Sequence, residues 1–168
     1  MATIEIERKF LVQGHGWKAA SQTIEIRQGF LVAEKERTVR VRIAAGKAFL
    51  TVKGALEGIT RQEFEYAIPN AQAEQILDLC IRPLIEKKRY RIDHQGMTWE
   101  VDEFLGENEG LVVAEIELES ESQDFARPDW LGQEVSHDPR YLNANLVKSP
   151  YKEWGLAREA QSHSEERG

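Results

Sequence analysis

The sequence has little of what marks secreted, membrane-bound and nucleic-acid-binding proteins. A single cysteine, Cys80, excludes an internal disulfide. We find no apolar run long enough to span a bilayer, and no apolar N-terminal segment with the cleavage site of a secretory signal. Against 29 Asp and Glu there are 22 Lys and Arg, and this net charge of −7 argues against general nucleic-acid binding. We therefore expect a cytoplasmic protein with neither a membrane nor a nucleic acid as partner.

Length and composition predict one soluble globular domain. The 168 residues are 41% hydrophobic and 30% charged, and a chain of this size buries a sizeable core without disulfides. We find no internal repeat and no linker. The domain is predicted over residues 1–156, followed by a polar, frayed C-terminal tail over residues 157–168. Cys80 lies in an apolar helical pattern and is interpreted as a buried, inert thiol.

Alternating apolar and polar residues predict a mainly β (α+β) fold. The stretches "AAGK" and "HQGM" each place a glycine between two alternating runs, which indicates hairpins and favours an antiparallel meander. One helix is predicted over residues 69–83 and a shorter one over residues 138–148. The eight predicted strands cover approximately residues 3–12, 23–33, 37–44, 47–53, 60–68, 84–95, 97–105 and 111–119.

One face of these strands is crowded with charge, because residues i and i+2 of a strand share a face. An ordinary half-exposed sheet also has a polar face, but a solvated face usually mixes both signs at short range. Here some strands carry only bases and others almost only acids, so an oppositely charged group is expected between them. The acids are Glu5, Glu7, Glu63, Glu65, Glu100, Asp102, Glu115 and Glu117, and the bases are Lys9, Arg40, Arg42, Lys53, Lys87, Arg89 and Arg91.

This pattern predicts an eight-stranded antiparallel closed barrel with a few flanking helices and a charged interior. A barrel of about eight strands has room inside for one small ligand. Charges in the interior are costly unless water, metal and an anion fill it. Arginine and lysine bind phosphate oxygens, and clustered carboxylates prefer hard cations. We therefore expect a polyphosphate ligand accompanied by Mg²⁺ or Mn²⁺.

The opening stretch "EIERK" matches the Glu-x-Glu-x-Lys signature of the CYTH domain. It is followed in order by "QGFL", "VRVR", "TVKG", "RQEFEY", "KKRYRI", "WEVDEF" and "AEIELE". With these motifs the chain resembles the triphosphate tunnel metalloenzymes over nearly its whole length. The resemblance implies that the barrel is a tunnel that binds a triphosphate and hydrolyses or cyclises it with divalent metal. Phe30 stands where many members of the family have tyrosine.

The resemblance also implies roles for individual residues. Glu117 and either Glu5 or Glu7 are expected nearest a phosphate-bound metal, with Glu63 and Glu65 near a second metal or its waters. The predicted catalytic residues are Glu5, Glu7, Lys9 and Lys87. The predicted metal ligands are Glu5, Glu7, Glu63, Glu65, Asp102, Glu115 and Glu117, and the predicted triphosphate contacts are Lys9, Arg40, Arg42, Lys53, Lys87, Arg89 and Arg91.

The leading prediction is a metal-dependent inorganic triphosphatase that hydrolyses tripolyphosphate to pyrophosphate and phosphate. We find no obvious pocket of aromatic and amide side chains for a nucleobase, and a substrate made only of phosphate needs none. The alternatives are a CYTH-type adenylate cyclase, a thiamine triphosphatase and a non-catalytic polyphosphate-binding module. In each case the partner is a small triphosphate molecule, and a homodimer through an outer apolar face is left open.

Other residues are expected to have structural roles or none in the site. His94 and His137 are predicted to be exposed rather than metal ligands, and Trp99 to make an outer apolar contact. We expect Tyr151 and Trp154 to pack against the barrel flank. Lys148 and Lys152 are interpreted as exposed, with a tunnel mouth as the alternative.

Overall fold

The computed structural model describes residues 3–19 and 22–155 and contains a closed antiparallel β-barrel. The predicted tail, residues 157–168, lies outside the described residues. The barrel strands are β1 (Ile4–Val12), β2 (Gln22–Ala33), β3 (Arg37–Ala44), β4 (Lys47–Gly54), β5 (Thr60–Ile68), β6 (Ile85–His94), β7 (Met97–Phe104) and β8 (Val112–Glu117). To these the described residues add a short β9 (Leu131–Glu134), the helices α1 (Asn70–Leu79) and α2 (Asn143–Lys148), and 3₁₀ turns at Gly16–Lys18, Gly106–Asn108 and Pro139–Tyr141.

Two runs of hairpins build the barrel. The strands β2 to β5 pair in sequence order, as do β6 to β8. β2 then pairs with β6, and β1 closes the barrel by lying between β5 and β8. The predicted closed eight-stranded antiparallel barrel is confirmed, but the predicted meander is wrong at two connections. β1 does not pair with β2, and β5 does not pair with β6, because α1 carries the chain from β5 across the outside of the barrel.

The first strand changes partner along one of its edges. Residues 4–6 of β1 pair with β5, whereas residues 10 and 12 pair with β9. Sequence patterns do not predict β9, which has four residues. A Cβ atom on Gly132 would lie 2.9 Å from the carbonyl oxygen of Leu11, so only glycine allows this close approach.

Two apolar clusters cover the outside of the barrel. In one, Trp99 is fully buried, and its ring centroid lies 5.6 Å from that of Phe10 and 5.5 Å from that of Phe125. The prediction that Trp99 makes an outer apolar contact is thereby confirmed. In the other, Leu77 of α1 packs against the sheet beside Cys80, which is buried as predicted.

A third cluster seals one end of the barrel. Ile85 lies two residues before Lys87 and Phe104 two after Asp102, so the inner face becomes apolar at this end. Buried side chains of α2 and the residues after it pack against them. Phe30 is buried in the same cluster, an environment that needs no hydroxyl. The predicted packing of Tyr151 and Trp154 is confirmed, with their ring centroids 5.1 Å apart.

The helices of the described residues are all too short or too polar to cross a membrane. The predicted cytoplasmic location and the predicted dimer stay predictions.

Candidate functional site

The barrel encloses a charged cavity of about 810 Å³. All the predicted site residues line it except Asp102. Every second residue of a strand faces the inside of the barrel, so charged residues at alternate positions of the sequence come together on its inner wall. Residues that the structure brings together at the cavity are Glu5, Glu7, Lys9, Arg40, Arg42, Lys53, Glu63, Glu65, Lys87, Arg89, Arg91, Glu115 and Glu117.

Asp102 lies behind the wall and holds two of its cations. Its carboxylate is fully buried and accepts two bonds from Arg89, Nε to Oδ1 at 2.7 Å and Nη2 to Oδ2 at 2.9 Å, and one from Lys87 Nζ at 2.8 Å. Burial alone would raise the pKa of Asp102, but the ion pairs with Arg89 and Lys87 outweigh it and lower the pKa to about 2. Both oxygens are occupied, so this geometry favours an orienting role for Asp102 over the predicted role of metal ligand.

Positive charge is crowded on this side of the cavity. Burial, together with the neighbouring Arg89 and Arg42, lowers the pKa of Lys87 to about 7 against the pull of Asp102. Burial and the charge of Arg40 lower the pKa of Arg42 to about 9. An anion placed among these side chains would relieve their repulsion.

Arg40 has an unused donor in the wall. Its Nη2 lies 3.3 Å from Thr51 Oγ1 and 3.8 Å from Glu65 Oε2. Its Nε is buried and has no hydrogen-bond partner among the described residues. A buried N–H without an acceptor is costly, so an oxygen-rich ligand in the cavity would supply the missing acceptor.

On the opposite side of the cavity, two cationic side chains lie among carboxylates. Lys53 Nζ lies 3.0 Å from Glu5 and 3.3 Å from Glu63, and Arg61 Nε lies 3.1 Å from Glu5. These partners lower the pKa of Glu5 against the effect of its burial. Arg61 is not among the predicted site residues. It lies two residues before Glu63 and therefore on the same face of β5, and this spacing is the signal that could have identified it.

Lys9 of β1 lies close to one carboxylate on β8 and to another on its own strand. Its Nζ lies 3.1 Å from Glu115 and 3.6 Å from Glu7. Burial opposes ionisation of Glu115, but Lys9 and Arg89 outweigh it and lower the pKa of Glu115. Lys9 and Glu115 are therefore both charged inside the barrel.

Three carboxylates in this region have too little positive charge nearby to offset their burial and their mutual repulsion. Glu7 and Glu117 face each other across β1 and β8. Burial, Glu115 and Glu5 raise the pKa of Glu7 to about 8, and burial with Glu5 and Glu100 raises that of Glu117. Burial and its contact with Glu5 also raise the pKa of Glu63. A divalent cation between these oxygens would relieve the repulsion.

The donor set fits a hard cation that keeps some of its own water. Within residues 3–19 and 22–155, no three Asp, Glu, His or Cys side chains form a ready-made metal site. A cation here would be held by fewer carboxylates together with water and ligand oxygens, which is how Mg²⁺ is usually bound.

The charge pattern does not reveal the uncharged residues that hold the cations of the wall. Gln28, Thr51 and Asn143 each bond to a cation of the wall. Amides and hydroxyls are common throughout a sequence, so we find no signal that would have singled them out. Lys148 lines the cavity, whereas Lys152 lies 3.9 Å from Glu109.

The two histidines lie apart from the carboxylates. His137 is exposed, as predicted, and lines the cavity. His94 is half-buried at the end of β6, where it pairs with Met97.

Comparisons with known proteins agree with this geometry. The family model of the CYTH domain matches residues 3–151. An inorganic triphosphatase of Acetivibrio thermocellus is 56% identical over 149 residues, which cover 88% of this chain and 96% of that protein. An inorganic triphosphatase of Nitrosomonas europaea is 35% identical over 86% of this chain and 97% of its own length. The crystal structure of an inorganic triphosphatase is 34% identical and superposes with a TM-score of 0.64 over 86% of this chain and 98% of that chain.

Proposed function

Because this chain belongs to the CYTH domain family, we propose that it is an inorganic triphosphatase that hydrolyses tripolyphosphate to pyrophosphate and phosphate. The observation that carries the proposal is a cavity inside the barrel that is walled by buried cations. Of the Phe, Tyr and Trp side chains in the described residues, only Phe30 lines it. A nucleobase would find little to stack on, whereas the oxygens of a substrate made only of phosphate would accept hydrogen bonds from the buried cations of the wall.

The cations bind and orient the triphosphate. Arginine grips phosphate oxygens through two N–H groups, and lysine supplies a point charge. Arg91 is exposed and lies 3.2 Å from Glu100, so it is placed at the rim. The buried contacts are Lys9, Arg40, Lys53, Lys87 and Arg89, with the half-buried Arg42 beside them.

The carboxylates would hold Mg²⁺ or Mn²⁺. Glu7 and Glu117, with Glu5 beside them, fit a cation that also contacts the phosphates, and Glu63 and Glu65 fit a second. When bound, such a cation neutralises phosphate oxygens and lowers the pKa of a bound water. Glu115 is already paired with Lys9 and is placed at the edge of this group.

Hydrolysis forms a bond from the oxygen of water to a terminal phosphorus and breaks the bond between that phosphorus and the bridging oxygen, which leaves with the pyrophosphate, while the water releases a proton to solvent. Negative charge grows on that bridging oxygen. Lys87 and Arg89 are already aimed by Asp102, so they stabilise this charge without having to reorganise. The side chains that surround the cavity keep the triphosphate in one orientation relative to the carboxylates.

The test is to incubate the purified protein with tripolyphosphate, ATP or thiamine triphosphate, each with Mg²⁺, Mn²⁺ or a chelator, and to identify every product. We expect phosphate and pyrophosphate mainly from tripolyphosphate, and only with metal. Comparable phosphate release from nucleotides would refute the selectivity. Cyclic AMP or thiamine diphosphate as the main product would replace the proposal by a cyclase or a thiamine triphosphatase, and binding without turnover would reduce it to a binding module.

A further inference from the structure

A chain of hydrogen bonds joins two cations of the cavity wall through two side-chain amides. Arg42 Nε donates to Gln28 Oε1 at 2.8 Å, and Gln28 Nε2 donates to Asn143 Oδ1 at 2.8 Å. Lys87 Nζ donates to the same Asn143 oxygen at 3.0 Å. The four residues come from β3, β2, α2 and β6, so the chain spans elements that are distant in sequence.

The chemistry of the two ends fixes the orientation of both amides. Arginine and lysine side chains only donate hydrogen bonds. Gln28 must therefore turn its oxygen to Arg42 and its NH₂ group to Asn143. Asn143 must likewise present its oxygen to Lys87. Turning either amide over would break both of its bonds, so the arrangement is a single, self-consistent one.

Asn143 completes the anchoring of Lys87. The ammonium group has three N–H donors, and two are committed, to Asp102 at 2.8 Å and to Asn143 at 3.0 Å. The Lys87 side chain is 1% exposed, so water has little access to it. One donor is left for a ligand oxygen in the cavity that Lys87 lines. A lysine held in this way loses little freedom when an anion binds.

Asn143 reaches the wall from outside the barrel. It is the first residue of α2, whose Leu146 and Val147 are buried against the apolar end of the barrel. The same helix that seals this end thus inserts one amide into the charged site. Sealing the barrel and positioning the cations are therefore joined in one short helix.

We propose that Asn143 is a positioning residue that holds Lys87 directly, and Arg42 through Gln28, in the orientation that binds the triphosphate. The proposal rests on the proposed function, because tripolyphosphate is the ligand whose binding it explains. Asn143 acts through these cations and takes no part in bond breaking.

The first experiment compares Asn143→Leu and Asn143→Ala with the wild type. Both remove the acceptor, and the alanine variant adds no bulk should leucine disturb folding. We expect the KM for tripolyphosphate to rise about tenfold, the scale of a lost hydrogen bond to a charged group, and kcat to fall as well, because Lys87 also stabilises the charge on the leaving oxygen. Asn70→Leu is the matched control: Asn70 is likewise the first residue of a helix, but it does not line the cavity, and its amide donates to the carbonyl of Gly46. Its KM should stay within about twofold of the wild-type value.

The second experiment asks whether Asn143 acts through Lys87. Adding Asn143→Leu to a Lys87→Met variant should raise the dissociation constant of tripolyphosphate, measured by calorimetry, clearly less than in the wild-type background, since only the route through Gln28 to Arg42 is left. A merely structural role would weaken binding equally in both backgrounds. An unchanged KM in both Asn143 variants, equal effects of Asn143→Leu and Asn70→Leu, or a full tenfold effect without Lys87 would overturn the proposal.

The calorimetric measurement also separates the two proposals. Should the wild type bind tripolyphosphate but turn over another substrate, the proposed function fails, while the binding cycle still tests Asn143.

Discussion

The two sides of the cavity handle buried charge in opposite ways. On the side of β3 and β6, Lys87 and Arg89 share Asp102, and Arg42 is held through Gln28. On the side of β1 and β8, Glu7 and Glu117 face each other and the pKa of each is raised. The basic side is thus organised before an anion arrives, whereas the acidic side is relieved only when cations arrive. Removing one charge should therefore damage the two sides differently.

The largest effect is expected on the acidic side. Glu117→Gln removes a carboxylate that its neighbours repel, so the fold should keep its stability while turnover is lost. We expect kcat/KM for tripolyphosphate with Mg²⁺ to fall on the order of a hundredfold or more. Thermal melts should also lose most of the rise in Tm that Mg²⁺ gives the wild type. Glu86→Gln, an exposed carboxylate of β6, is the control that should change neither. Full activity in Glu117→Gln would refute the proposed metal site.

The basic side should respond with a loss of stability. Asp102→Asn leaves two buried cations without their shared carboxylate, and breaking a buried ion pair costs about 3–5 kcal/mol of unfolding free energy. Urea unfolding measures this, and added tripolyphosphate should restore part of the loss. Asp138→Asn breaks the exposed pair with Arg140 and should cost less than about 1 kcal/mol. Equal losses in the two variants would contradict the view that Asp102 organises this side.

The smallest effect is expected outside the barrel, where Arg8 Nη2 lies 2.6 Å from Glu134. Hydrogen bonds from Arg8 lower the pKa of Glu134 from 4.5 to about 2. A lowered pKa stabilises the fold fully above the unfolded value, and this contribution is lost as the pH falls toward 2. Because both side chains are partly exposed, Glu134→Gln should cost less than about 1 kcal/mol at pH 7. Urea unfolding at a series of pH values should show this difference shrinking below about pH 5, and a difference that grows in acid would be inconsistent with the pair.

Alternation along single strands predicted most of the charged residues that line the cavity. The positions of Glu5, Glu7 and Lys9 follow from period 2 alone, because it decides which side chains share a face. What alternation leaves open is which strands become neighbours. The predicted meander was wrong because the sequence of β1 does not reveal that this strand pairs with β5 and β8 rather than with β2.

Residues that act through others were harder to predict. Asp102 has the charge and spacing of the other carboxylates, and only its bonds to Arg89 and Lys87 place it behind the wall. Asn143 carries no charge and comes from a helix outside the strand pattern. Hydrogen bonds between residues far apart in sequence form only in the assembled fold, so no local sequence pattern predicts them.

The position of β1 has a consequence for how the chain acquires its activity. β1 pairs with β5, β8 and β9, and the last of these ends at Glu134, so the strand with the signature motif is synthesised early and fully paired late. Contacts between distant parts of a chain slow folding. Every predicted charged residue of the site has been synthesised by Glu117, yet β9 and Asn143 still follow. A growing chain at that stage has all the predicted charged residues of the site without the elements that close the barrel and align those residues, and these elements are added only by later synthesis.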